Sequence, residues 1–145
     1  MKRIKLIIPL LILTVISAAC NAFGEPESCG ETIGDTPDND TYVEYFTSMI
    51  LVNENSGAPV YEDLDGVVVY RATDKLAIDI TTHEAVSVQV CVQERENGGK
   101  IAFNQTVELI PGFALIYMGG FEPGRYDVRV IVEDTLIKNF PFSTR

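Results

Sequence analysis

Strict alternation of apolar and polar residues runs through the second half of the chain. In "AVSVQVCVQ", Val86, Val88, Val90 and Val92 alternate with Ser87, Gln89, Cys91 and Gln93. In "RYDVRVIVED", Tyr126, Val128, Val130 and Val132 alternate with Asp127, Arg129 and Glu133. A period of two puts the two sets on opposite faces of a strand. "KLAIDI" repeats the pattern with Leu76, Ile78 and Ile80, and "KIAFNQTVELI" sets Ile101, Phe103, Val107 and Leu109 on one parity. "GVVVYRA", "FALIYMGG" and "LIKNFPF" are further short apolar runs. Asn97-Gly98 predicts a tight hairpin, because both turn positions tolerate positive φ. A second turn is expected at Asp134-Thr135. Alternation over about seven short strands predicts antiparallel sheets with one buried face, packed as a two-sheet sandwich.

Upstream the periodicity changes. Tyr42, Tyr45, Phe46, Met49 and Ile50 follow helical spacing, and Thr41 with Glu44 has the spacing of a capping box. Thr47 to Asn53 reads equally well as a strand ended by Asn-Ser-Gly. The expectation is a helical turn or an irregular start, then a strand. Residues 21–40, "NAFGEPESCGETIGDTPDND", are rich in Gly, Pro, Ser and acidic residues and read as a linker with no core of its own. The chain therefore divides into a leader (1–19), an acidic linker (20–40) and a β domain (41–145).

The leader carries Lys2, Arg3 and Lys5, then a mostly apolar run from Leu6 to Ala19. As a helix that run rises roughly 21 Å, too short for a hydrocarbon core about 30 Å thick. The order of charge, short apolar run and small residues describes an export signal. Ser17-Ala18-Ala19 suits ordinary signal peptidase and a soluble secreted product. The stretch from Ile16 to Cys20 also resembles the lipobox of bacterial lipoproteins, in which the cysteine takes a diacylglycerol and becomes the first residue. Ser17 departs from the commonest form, which has Leu or Val there. The resemblance implies lipidation at Cys20 and anchorage in a cell membrane or an outer membrane. In a two-membrane host, Asn21 lacks the Asp that, by the same resemblance, retains lipoproteins in the inner one.

Three cysteines are present, Cys20, Cys29 and Cys91. If Cys20 carries lipid, Cys29 and Cys91 remain as one pair in an oxidising compartment. A Cys20–Cys29 bridge with Cys91 free is the alternative. Cys91 lies on the polar parity of its strand, so a partner would reach it from outside the sheet. The pairing would cover that face and shorten the free tether to residues 21–28, whose root-mean-square span is about 16 Å.

Charge narrows the partners. The chain has a formal net charge of −10. Loss of residues 1–19 removes three basic residues and none of the 21 acidic ones, leaving −13. No Lys or Arg occurs between Cys20 and Val69. Nucleic acid, whose phosphates require cations, is excluded as a partner, and so is adhesion to anionic lipid through the protein surface.

"FEPGRYDVRV" joins an apolar residue, a Pro-Gly turn and a Tyr that opens a valine strand. It resembles the tyrosine corner of immunoglobulin-like and fibronectin-III-like domains, over roughly Phe121 to Val132. The resemblance implies that Tyr126 bonds backbone just upstream, with Phe121 as apolar partner and Pro123-Gly124 as the turn. The chain lacks Trp and the antibody-type cysteine pair, so the expected class is an immunoglobulin-like antiparallel β-sandwich, not an antibody domain.

Catalytic motifs are sparse. The one histidine, His83, lies between two predicted strands with no G-x-S-x-G nucleophile motif in the chain, and reads as a surface residue. Zinc needs three or four ligands. The clusters Asp35, Asp38, Asp40 and Asp63, Asp65 offer oxygens of the kind calcium takes, without EF-hand spacing. The reading is a non-catalytic, cofactor-free, membrane-anchored module that binds an envelope protein or glycan. A small inhibitor or chaperone-like accessory protein is the alternative, and a calcium-dependent binder a lesser one.

Overall fold

Eight strands and one short helix make up a computed structural model that describes residues 29–30, 36–56, 66–96 and 99–145. The leader, Cys20, Asp35, Asp63, Asp65 and the Asn97-Gly98 turn lie outside the described residues. The elements are α1 (Asn39–Tyr45), β1 (Phe46–Asn53), β2 (Val68–Tyr70), β3 (Lys75–Thr82), β4 (Val86–Glu94), β5 (Ile101–Leu109), β6 (Gly112–Gly120), β7 (Gly124–Val132) and β8 (Thr135–Thr144). One sheet has the order β1-β3-β6 and the other β2-β8-β7-β4-β5. All pairings are antiparallel except β2 with β8. The protein is an all-β sandwich.

The valine parity forms the core. Val88, Val90, Val92, Val128 and Val130 from the larger sheet are fully buried against Leu76, Ile78 and Ile80 from the smaller one. Burying each such side chain contributes about 1.5–3 kcal/mol. Phe142 lies in the same core, stacked on Tyr126 at 5.1 Å and edge-on to Phe121 at 5.2 Å.

The N-terminal segment is helix then strand. The cap is Asp38, which accepts from the Thr41 N–H at 2.8 Å, so the helix starts before the capping box read at Thr41 and Glu44. The Asp38 N–H donates to the Leu136 carbonyl, tying the helix start to β8. The Lys138 ammonium lies 5.6 Å from the Tyr42 ring centre and 5.8 Å from that of Phe140, an arrangement favourable for cation–π attraction.

Two local expectations shift. The β7–β8 turn is formed by Glu133 and Asp134, both at positive φ, one residue earlier than expected. Their φ values of 47° and 62° match a two-residue type I′ hairpin, whose twist follows that of the strands. On β5, Ile101 leaves the face of Phe103 and Val107. The register jumps from Val92–Phe103 to Gln93–Ile101, so Ala102 is the extra residue of a bulge. A one-residue slip turns a side chain to the other face, and Ile101 packs on the outside of the sheet.

Candidate functional site

Two outer faces carry the features that could serve recognition. On the larger sheet, Cys29 is joined to Cys91 by a disulfide. Cys91 has no exposed surface, because Cys29 covers it and Ile131, Leu136 and Ile101 close around the pair. The polar parity of β4 thus supports a small second core built by a segment read as linker. Beside it, Tyr45, Ser87, Gln89, Thr106, Glu133 and Asp134 line an open groove of about 400 Å³. Gln89 donates to Asn104 at 2.9 Å across β4 and β5, which fixes the floor of this polar face.

The smaller sheet presents the opposite chemistry. Its register sets Ser48, Thr81 and Phe113 in one row, Ile50, Asp79 and Leu115 in the next, and Val52, Ala77 and Tyr117 in a third. Ile116 and Met118 of β6 point into the core, so the alternate residues face solvent. Phe113 is 65% exposed, Tyr117 59%, Ile50 42% and Leu115 37%. Contiguous exposed apolar side chains of this kind mark interaction surfaces on soluble domains. Ala77 and Val52 lie low between the larger side chains, so these rows enclose a groove of about 160 Å³ rimmed by Asn53, Glu54 and Asp79. β6 is also an edge strand, paired among the described residues with β3 alone.

The tyrosine motif assembles as a unit. The Tyr126 hydroxyl donates to the Glu122 carbonyl at 2.9 Å, and the Thr144 hydroxyl donates to the same oxygen. Burial, with the Glu94 and Glu122 carboxylates nearby, pushes the Tyr126 hydroxyl above the ordinary tyrosine range, which keeps it a donor. The Phe121 ring lies 5.2 Å from that of Tyr126. A Cβ on Gly124 would meet the Tyr126 ring and hydroxyl at 3.3 Å, so the turn needs a residue without one. Pro123 is exposed at the turn.

Of the acidic candidates, Asp38 and Asp40 lie among the described residues. Asp38 is engaged as the helix cap, and this hydrogen bonding from the Thr41 backbone lowers its carboxyl from the usual value. Asp40 is exposed in the first turn of α1. Among the described residues, His, Cys, Asp and Glu nowhere gather in threes to hold a metal. His83 is exposed, and its backbone N–H donates to the Tyr45 carbonyl. Sequence reading missed the outer face of β6. "FALIYMGG" looks like a buried strand, and only the sheet order shows that half of it faces solvent. The sole hint was an uncharged strand in a strongly acidic chain.

No model of a known protein family matches the chain, and no curated protein matches its sequence. No helix among the described residues is long and apolar enough to cross a membrane.

Proposed function

We propose that this is a lipid-anchored, extracytoplasmic binding module of immunoglobulin-like type, which docks an envelope protein on the outer face of its β1-β3-β6 sheet. The observation that carries the docking reading is the exposure of Phe113, Leu115, Tyr117 and Ile50 together on one sheet face. Immunoglobulin-like type is supported by the strand order, with three strands packed on five. It is supported too by the Tyr126 hydroxyl bonded to backbone four residues upstream at the start of β7. The anchor rests on the basic leader, the apolar run and Ala18-Ala19-Cys20.

Site-specific photo-crosslinking in growing cells tests the docking. A photoreactive side chain at Tyr117 is expected to form adducts with another envelope protein. One at Thr106, on the opposite sheet, is expected to form none. Phe113→Arg should abolish the Tyr117 adducts while leaving the unfolding free energy within about 0.5 kcal/mol of the parent's, as for other exposed sites. Equal adducts from both faces, or none from Tyr117, would overturn the assignment.

A further inference from the structure

We infer that the partner is recognised through a Lys or Arg side chain on an extended segment that adds to the β6 edge; this rests on the reading of the β1-β3-β6 face as the docking surface. Two independent features point to it. The first is the edge itself. Gly112–Gly120 contains no charged residue and no proline, and its outer side has no neighbour among the described residues. Natural edges are usually blunted by Lys, Pro or a bulge that discourages added strands. Each edge of this sheet has one irregularity, β1 between Phe46 and Ser48 and β6 at Met118 near its end, and β6 keeps regular register with β3 from Gly112 to Tyr117, the stretch an added strand would use. An extended segment meets free backbone donors and acceptors there.

The second feature is charge. Asp79 stands on the central strand, in the row between Ile50 and Leu115, among the most apolar exposed side chains of the protein. No Lys or Arg of the described residues forms an ion pair with it. It borders the same groove as Phe113, Tyr117 and Glu54. Aromatic faces attract cations, and a carboxylate beside them supplies a charged acceptor. The apolar side chains of Leu115 and Tyr117 on β6 suit the methylene stem of a Lys or Arg that crosses them. A strand added beside β6 lies two strand spacings from β3, roughly 10 Å. A Lys or Arg reaching across Leu115, with the Asp79 side chain reaching back, spans that distance. The chain's net charge of −10 favours a cationic partner in the same sense and opposes a second copy of itself.

The test is titration of the purified full chain with a short alternating Thr-Val peptide carrying a central Arg, and with its norleucine and Glu counterparts. The Arg peptide is expected to bind about tenfold more tightly than the norleucine peptide, a difference of about 1.4 kcal/mol. The Glu peptide should bind weakest, and the Arg preference should shrink as salt rises. Asp79→Asn, which keeps the shape, should remove the Arg preference without lowering the melting temperature, and Tyr117→Leu should reduce it. Equal binding of the Arg and norleucine peptides would overturn the inference, as would an Arg preference that survives Asp79→Asn. Self-association through β6, or binding of phosphatidylcholine vesicles in place of peptide, would overturn it too. Photo-adducts at Tyr117 without an Arg preference would sink the cation recognition alone and leave the docking face standing.

Discussion

Two buried tyrosines on the same sandwich have opposite hydrogen-bonding fates. The Tyr126 hydroxyl satisfies the Glu122 carbonyl, whereas the Tyr70 hydroxyl has no partner among the described residues. Burial, with Asp74 nearby, pushes the Tyr70 hydroxyl well above the ordinary tyrosine range. Tyr126→Phe is therefore expected to cost about 1–3 kcal/mol, since it removes one donor from a partly buried network. Tyr70→Phe is expected to be neutral or stabilising, because it deletes an unpaired polar atom while keeping the ring packed edge-on against Phe142 at 5.9 Å. Chemical denaturation of both variants separates the cases, and equal losses would contradict this account of Tyr126. Gly124→Ala should cost about 1–3 kcal/mol through overpacking. Tyr126 cannot yield, held by its hydroxyl and by the packed Phe121 and Phe142 rings.

At the scale of elements, the polar parity of β4 becomes interior because a disulfide brings chain over it. The bridge closes a sequence separation of 62 residues. Constraining such a loop lowers the entropy of the unfolded chain by an equivalent of about 4 kcal/mol. Cys29→Ala with Cys91→Ala is expected to lose stability of that order, read by urea titration. Non-reducing peptide mapping of the purified protein should recover the 29–91 crosslinked pair. Helix α1 depends on a single carboxylate cap. Its folded-state pKa is lowered, so its contribution is present above the ordinary carboxylate range and is lost as pH falls through the lowered value. Asp38→Asn keeps an acceptor that does not titrate. Its stability should therefore fall less steeply than the parent's as pH drops below about 3.9, the usual carboxylate midpoint. Thermal melts across that range check the sign.

For the whole molecule, polarity is divided between the two outer faces. One bears the disulfide cover and the polar groove, and the other the apolar groove with Asp79 and Glu54 at its rim. The proposed anchor would confine the partner search of this face to the envelope, where tethering raises effective concentration. Cys20→Ala is expected to move the protein from the membrane fraction to the soluble one. Intact-mass spectrometry of the mature chain should show added acyl mass at Cys20, and a mature chain starting there unmodified would refute lipidation. Two or more acyl chains hold a protein where one is marginal, at about 0.8 kcal/mol per buried CH₂.

Period-two alternation determined the strands and the inward sets on β3, β4 and β7, because a pleated backbone sends neighbouring side chains to opposite faces whatever the fold around it. The tyrosine motif was equally readable, since Phe121, Gly124 and Tyr126 act within a few residues of one another. Sequence periodicity cannot register a bulge, so Ile101 was assigned to the wrong face until the pairing of Gln93 with Ile101 was known. It cannot state sheet order either. The polar parity holding Cys91 became core once Cys29 came to lie over it. The apolar outer side of β6 became surface because, among the described residues, no second layer covers the outside of its sheet. Which side chains meet solvent depends on contacts between residues far apart in the chain, and those contacts decided where the candidate docking face lies.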